Sequence, residues 1–488
     1  MPPLSVLHIC SEVSPFIKTG GIADVCSDLP RALARAGVRI TVVMPRYHDI
    51  DPVHHALARR LTPVEVPLGA GRESVTLFEG RLPGGLVTVY LIDHPLFDRP
   101  GVAEGGAEGG EPADNARRFA LVGRAALEVA DKTDRWPDIV HAHDWQGGFA
   151  VAFAKATVPA GRVAPRVVFT IHNLSHQGLA PRDIVAEVGL GPELVGPETG
   201  ELAGQLSQVK LGIALADRVT TVSPTYAREI CTPVRGGGLE GFLTARRDRL
   251  SGILNGIDLE TWDPARDPHL AVRYDADDRS GKAACKAALQ REVGLPIRTG
   301  VPLLGQVARM TEQKGWKLLL DAGEELATLD AQFVFLAHGE RRFEEGVANL
   351  VRRYPSKFAF KTGDNEPLSH RIVAGADLFL VPSMFEPCGL TQMYAQRYGT
   401  VPIVRATGGL EDTVVDYDDA TRTGTGFKFE LAHPDALVAT VRRALSLTKR
   451  REAFDALAGQ IMRTDHGWAR SARRYVELYE KLGSPVRV

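Results

Sequence analysis

Cysteine is scarce and unpatterned: the chain has five (Cys10, Cys26, Cys231, Cys285 and Cys388), none in a Cys-x-x-Cys pair. That argues against a disulfide framework and against a zinc ribbon. Charge of one sign is lacking too. The net charge is -2 over 488 residues, so no global field favours nucleic acid or an anionic membrane as partner. Long hydrophobic runs are missing, and stretches such as Leu378 to Val381 fall far short of a membrane span. The opening MPPLSVLHIC has neither the basic segment nor the apolar stretch of a secretory signal. No repeat of fixed period is visible. These absences leave a reduced, cytoplasmic protein as the expectation.

What is present is a globular composition, 44% hydrophobic and 24% charged. A chain of this length exceeds one ordinary core, so two domains are expected. Short apolar runs alternate with longer amphipathic segments, the pattern of parallel α/β sheets. Strands are predicted at Val6 to Ile9, Arg39 to Met44, Val87 to Ile92, Ile139 to Ala142, Arg166 to Ile171 and Arg218 to Val222. The cycle restarts with Leu303 to Val307, Phe333 to Ala337, Phe358 to Lys361, Leu378 to Val381 and Val401 to Val404. Between the sets, roughly 255–300 is rich in Asp, Pro and Arg with weak periodicity, and reads as an interdomain linker. Residues 101–110, rich in Gly and Glu, read as a mobile loop. Trp468, Ala472, Tyr475, Tyr479 and Leu482 fall on one face of a final helix, where packing is the expected role.

Five segments at predicted strand ends could carry chemistry. In Lys18-Thr19-Gly20-Gly21-Ile22-Ala23-Asp24, adjacent glycines and a helix start suit either a plain turn or a phosphate cradle. It matches neither the Walker A order nor the dinucleotide fingerprint. His141-Ala142-His143-Asp144-Trp145 puts two histidines on one strand face, where chelation is geometrically possible. No further His/Asp cluster completes a metal set in the sequence. The preferred alternative is a polar strand end with Trp145 offering an apolar face to a sugar. His172 and Asn173 close an apolar strand, either as ligand groups or, for the histidine, as a satisfied core residue. Arg309 and Lys314, five apart on a loop, either grip one diphosphate or form a solvated charged turn. In Pro382 to Thr391, Glu386 precedes a predicted helix start, suited either to sugar hydroxyls beside an anion or to simple capping.

These segments, in this order, resemble the glycogen and starch synthase family of glycosyltransferases. The matching stretches are KTGGIADV, FDRP, DNARRF, HAHDW, FTIHN, TTVSPTYAREI, LNGID, GKAACKAALQ, ARMTEQKG, the long VPSMFEPCGLTQMYAQRYGTVPIVRATGGLEDTV and the terminal W-x3-A-x2-Y. They span nearly the whole chain. The resemblance implies a GT-B fold: two Rossmann-like domains, residues 1–255 and 256–464, facing across a deep cleft. Residues 465–488 would then cross back to the N-terminal domain. It implies transfer of glucose from ADP-glucose to an α-1,4-glucan such as glycogen, with retention, by a front-face mechanism that needs no protein nucleophile. No cofactor and no metal are implied.

By the same resemblance, His172, Arg309, Lys314 and Glu386 are the catalytic set. Lys18, Gly20 and Gly21 lie at the donor phosphates, with Asp24 nearby. Asp144 and Asn255 hold sugar hydroxyls, and Cys388, Gly389, Leu390 and Thr391 offer main-chain contacts to the donor. Trp145 and Asn173 face the acceptor. Three departures stand out. Tyr394 occupies the position of a second glutamate common in related transferases, a glutamate that glycogen synthases themselves tend to lack. Asp364 stands near a position where the family often has a base-stacking Tyr, which opens the choice between ADP- and UDP-glucose. The loop GVAEGGAEGGEPAD lacks the family's aromatics. The rivals are a same-fold transferase with UDP-glucose or another acceptor, an inactive glucan-binding protein, and a metallohydrolase built on His141, His143 and Asp144.

Overall fold

A computed structural model describes residues 3–99, 101 and 114–483 of the chain. The segment expected as a mobile loop lies, except for Gly101, outside the described residues. The chain divides into two compact units, one of Met1–Gly256 with Trp468–Val488, the other of Ile257–Gly467.

The first unit is built on seven parallel strands: β1 (Ser5–Ile9), β2 (Arg39–Pro45), β3 (Thr88–Asp93), β4 (Ile139–His143), β5 (Arg166–Ile171), β6 (Arg218–Thr221) and β7 (Leu250–Gly252). Their spatial order is 7-6-5-4-1-2-3, so the winding reverses between β1 and β4. The central strand β2 is buried from Ile40 to Pro45, which is why it reads as a short, largely apolar run rather than an alternating one. An antiparallel strand, Gly71–Arg81, borders β3. The helix Trp468–Leu482 belongs to this unit and packs on Gly21–Arg35. Its Trp468, Ala472, Tyr475 and Tyr479 are buried, each aromatic contributing about 1.5–3 kcal/mol by removal from water. Trp468 Nε1 donates to Asp28 at 3.3 Å, and Ser471 donates to the Leu254 carbonyl.

The second unit repeats the pattern with β8 (Leu303–Val307), β9 (Gln332–Ala337), β10 (Phe358–Thr362), β11 (Leu378–Val381), β12 (Val401–Arg405) and β13 (Phe427–Phe429). All are parallel, in the order 10-9-8-11-12-13, and the reversal falls between β8 and β11. Phe333 and Phe358, register partners on β9 and β10, stack at 4.9 Å on one face of this sheet.

Residues 255–300, read from the sequence as an interdomain linker of weak periodicity, are partly helical. They contain the helix Ser280–Val293, which buries Cys285, Leu289 and Val293. Its periodicity is masked because it also buries polar residues. Lys286 pairs with Asp377 at 2.6 Å, and Gln290 donates to Gln332 at 2.6 Å.

Candidate active site

In open α/β sheets the strand ends at a winding reversal form a crevice suited to a ligand. In the first unit that place is taken by the segment after β1 and the turn after β4. The buried carboxylate of Glu12 accepts from the Thr19 amide at 2.6 Å and the Thr19 hydroxyl at 2.7 Å. This clamp sets the entry to the helix Gly21–Arg35, whose first amides have no carbonyl one turn earlier. Gly20 is extended (φ -157) and caps the helix without a side chain, and an added Cβ there would meet nothing within 4 Å. Lys18 lies over this start, ion-paired with Asp24 at 2.8 Å. Lysine, glycines and aspartate thus form one exposed rim suited to an anion.

Deeper in, four histidines converge. His8 on β1 is the register partner of His141 on β4. His8 Nδ1 lies 3.0 Å from His143 Nε2, and His143 Nδ1 lies 3.0 Å from His172 Nε2. His141 is held separately, 2.7 Å from the Tyr479 hydroxyl and 2.6 Å from Thr170 Oγ1. Burial holds His8 and His172 down at about 3. It also keeps His141 and His143 well below the usual value, helped by the neighbouring rings. At neutral pH all four are therefore uncharged.

Asp144 stands at φ +52, an uncommon conformation for a non-glycine residue. Its Oδ1 accepts from the amides of His172 (2.6 Å) and Asn173 (3.3 Å), which ties the ends of β4 and β5 together. Asn173 Oδ1 accepts from the Ser175 amide and hydroxyl, leaving its NH2 group for a ligand. The Asn255 Oδ1 is buried without a hydrogen-bond partner among the described residues, as an acceptor awaiting a hydroxyl would be.

Trp145 is a correction. It is only 2% exposed, edge-on to Phe119 at 5.2 Å, with Gly178 so close that an added Cβ would strike the indole. Neither ring face is open to a sugar. Trp145 is a core residue, because the short turn after β4 packs it against Phe119 of the helix Asn115–Lys132 and against Gly178.

The histidines bear on metal binding as well. The sequence offered no third ligand for His141 and His143; pairing of β1 with β4 supplies His8, with ligand atoms of all three within 4.8 Å of one another. Yet both nitrogens of His141 and both of His143 already have partners. Cys10, Cys26 and His143 form a second such group, but burial and the Cys10 contact push the Cys26 thiol up, keeping it protonated.

In the second unit the winding reversal carries opposite charges. Lys314, on the loop after β8, meets Glu386, on the loop after β11, at 2.6 Å. Ser383 Oγ donates to the same carboxylate at 3.0 Å. Gly315 (φ +76) lets this loop touch the Pro382 carbonyl, where a Cβ would collide. Gly408 and Gly409 press likewise on the backbone of Glu386 and Cys388, and the Gly409 amide donates to the Glu386 carbonyl at 3.0 Å. The exposed Arg309 sits on the same loop, its carbonyl accepting from Trp316 Nε1 at 2.9 Å. Gly389 (φ +72) and Leu390 lead into the helix Thr391–Arg397. The amides of Met393 and Tyr394 return to the Leu390 carbonyl, so earlier amides such as Thr391 remain available to a ligand. Cys388 is buried, and its carbonyl accepts from Gln392 Nε2 at 3.2 Å. Tyr394 stacks on Trp262 at 3.7 Å, with His370 on the opposite side of that indole at 3.8 Å. Its place in this packed stack leaves no carboxylate there.

The structure therefore gathers Lys18, Gly20, Gly21 and Asp24 in one cluster, His172, Asn173 and Asp144 in a second beside it, and Arg309, Lys314, Glu386 and residues 388–391 in a third. Sequence reasoning missed Glu12, Ser383 and His8. The available signal for His8 was a lone polar residue inside the apolar run Val6 to Ile9.

Twin parallel sheets with charged loops at both winding reversals match the two-sheet architecture of GT-B glycosyltransferases. Residues 5–245 match the starch synthase catalytic domain and residues 291–459 match glycosyl transferases group 1. A glycogen synthase of Anaeromyxobacter dehalogenans (strain 2CP-1) is 48% identical over 98% of this chain and 99% of its own length. One from Thioalkalivibrio sulfidiphilus is 46% identical over 99% and 100%. Among solved structures, the catalytic domain of starch synthase IV from Arabidopsis thaliana, bound to ADP and acarbose, superposes with TM-score 0.91 at 35% identity, covering 98% of this chain and 99% of that one. A sucrose-phosphate synthase from Thermosynechococcus elongatus shares the fold at TM-score 0.62 and 16% identity. The chain belongs to the glycogen and starch synthase family of glycosyltransferases. No helix among the described residues is long and apolar enough to cross a membrane.

Proposed function

We propose that the protein extends glycogen in the cytoplasm, moving glucose from ADP-glucose to the non-reducing end of an α-1,4-glucan with retention of configuration. The observation that carries this is the Lys314–Glu386 pair at the second unit's winding reversal. Breaking the bond to a nucleotide leaves negative charge on a diphosphate and positive charge on the anomeric carbon. Preorganised cations at the phosphate lower that barrier. Arg309 and Lys314 take the leaving diphosphate, and Glu386 accepts hydrogen bonds from the donor glucose while the amides at residues 388–391 hold the donor from the main chain. Lys18, Gly20 and Gly21 meet donor phosphates, with Asp24 orienting Lys18. His172 meets the transferred glucose, Asp144 and Asn255 hold sugar hydroxyls, and Asn173 faces the acceptor.

Family membership and the ADP and acarbose bound by the starch synthase IV structure support this donor and acceptor class. Arg309 and Lys314 supply positive charge at the leaving diphosphate, the task a divalent metal performs in metal-dependent transferases, and the reaction is expected to need no metal or other cofactor. The departing phosphate takes the acceptor proton, and no protein nucleophile intervenes. Glucose incorporation into glycogen is measured from ADP-glucose and UDP-glucose side by side, with EDTA present. Strong EDTA-resistant transfer from ADP-glucose is the expected result. Transfer from UDP-glucose alone would move the base preference, and its absence from both would favour a glucan-binding role.

A further inference from the structure

Two hydrogen bonds join three neutral rings in the first unit: His8 Nδ1 to His143 Nε2, and His143 Nδ1 to His172 Nε2. Each bond needs one proton. A neutral His143 carries one, so it donates in one bond and accepts in the other. Only two arrangements satisfy both. In the first, protons lie on Nδ1 of all three rings and the chain donates from His8 toward His172. In the second, they lie on Nε2 of all three and the chain donates inward.

The two arrangements differ at their ends. His8 Nε2 is buried without a hydrogen-bond partner among the described residues. The inward arrangement would put an N–H there, and orphaned buried N–H groups are rarer than underused acceptors. The outward arrangement leaves only a bare lone pair. His141 does not alter the choice. Its nitrogens face the Tyr479 and Thr170 hydroxyls, and it meets His8 and His143 only through ring faces, at 4.7 and 4.4 Å.

We propose that His8 and His143 are positioning residues that fix the proton of His172 on Nδ1, so that this ring meets the donor sugar as a hydrogen-bond donor. Nδ1 is the ring nitrogen of His172 with no partner among the described residues. A locked N–H there binds the lone pair of a sugar hydroxyl without reorganising during reaction. The role of His172 at the sugar rests on the function proposed above, whereas its tautomer can be observed without turnover.

The test is a long-range proton–nitrogen correlation spectrum of the full-length protein with ring-15N histidine, at neutral pH, with His172 assigned by its loss in His172→Gln. The expected result is a protonated Nδ1 and a bare Nε2 on His172. A protonated Nε2, or a doubly protonated ring, would overturn the proposal whatever the substrate proves to be. His8→Asp and His8→Leu test the lock. The aspartate carboxylate offers His143 Nε2 only an acceptor and should reverse the chain, moving the His172 proton to Nε2 and lowering kcat about tenfold or more with little change in the donor KM, since a wrong tautomer can cost up to about 10⁴ elsewhere. His8→Leu leaves His143 Nε2 a bare lone pair and should keep the His172 proton on Nδ1. A folded His8→Asp protein with His172 still protonated on Nδ1 would mean that His8 only fills space.

Discussion

The two winding reversals of this protein use the same backbone and opposite chemistry. In the first unit the deepest groups are uncharged histidines, linked ring to ring and sealed by Tyr479. In the second the central groups are an ammonium and a carboxylate in contact. A neutral chain in a dry interior transmits a proton position and depends on packing. An ion pair between a part-exposed Lys314 and a buried Glu386 holds charge that an anionic ligand can recruit. Substitutions that empty the packed interior of the first unit should therefore appear mainly in stability, and those that remove the charged pair of the second mainly in the chemical step.

Trp145→Ala puts the first half of that contrast to its hardest test. It should cost about 3–5 kcal/mol of folding stability by emptying a core site, read by urea unfolding. A Trp145→Phe variant with an unchanged glucan KM would complete the case, whereas a large KM rise would restore the sugar-facing role. Lys314→Ala should instead raise the reaction barrier by about 3–4 kcal/mol, read as kcat with ADP-glucose. Turnover within a few-fold of the parent would remove Lys314 from the catalytic set.

Acid probes the histidines as a group. The folded values of His8 and His172, about 3, lie below the usual 6.5, so the unfolded chain binds protons that the folded one refuses. Their contribution is complete above about pH 6.5 and is lost as pH falls toward 3. By pH 5 each ring should have cost about 2 kcal/mol. Urea midpoints that do not fall between pH 7 and pH 5 would contradict the neutral chain. Smaller still is Gly315→Ala, expected to cost about 1–3 kcal/mol through its positive φ and collision with Pro382. Gly20→Ala should leave stability within about 0.5 kcal/mol, since the site is extended and open. A fall in donor affinity at intact stability would then mark Gly20 as a place where ligand approaches the backbone.

Much of this was legible in the sequence, for a physical reason. Strands buried on both faces are largely apolar, so Arg166–Ile171, Leu303–Val307 and Leu378–Val381 could be read to the residue. Loops that follow such strands carry the ligand groups, which brought Lys18, His172, Arg309, Lys314 and Glu386 into view. The helix Ser280–Val293 was hidden because its buried face holds Lys286 and Gln290, polar groups whose partners Asp377 and Gln332 lie far along the chain. Trp145 was misjudged because adjacency to a strand end says nothing about which side of the sheet a ring will take.

By itself, the sequence determined the class of fold, the family and the loops proposed to bear the chemistry, since periodicity and local motifs are properties of neighbouring residues. Only the tertiary structure decided that His8 stands beside His143, that Tyr479 closes on His141 across 338 positions of chain, and that Lys314 and Glu386 share one hydrogen bond across 72. Such contacts are set by which strands pair and in what register, and no local signal records them.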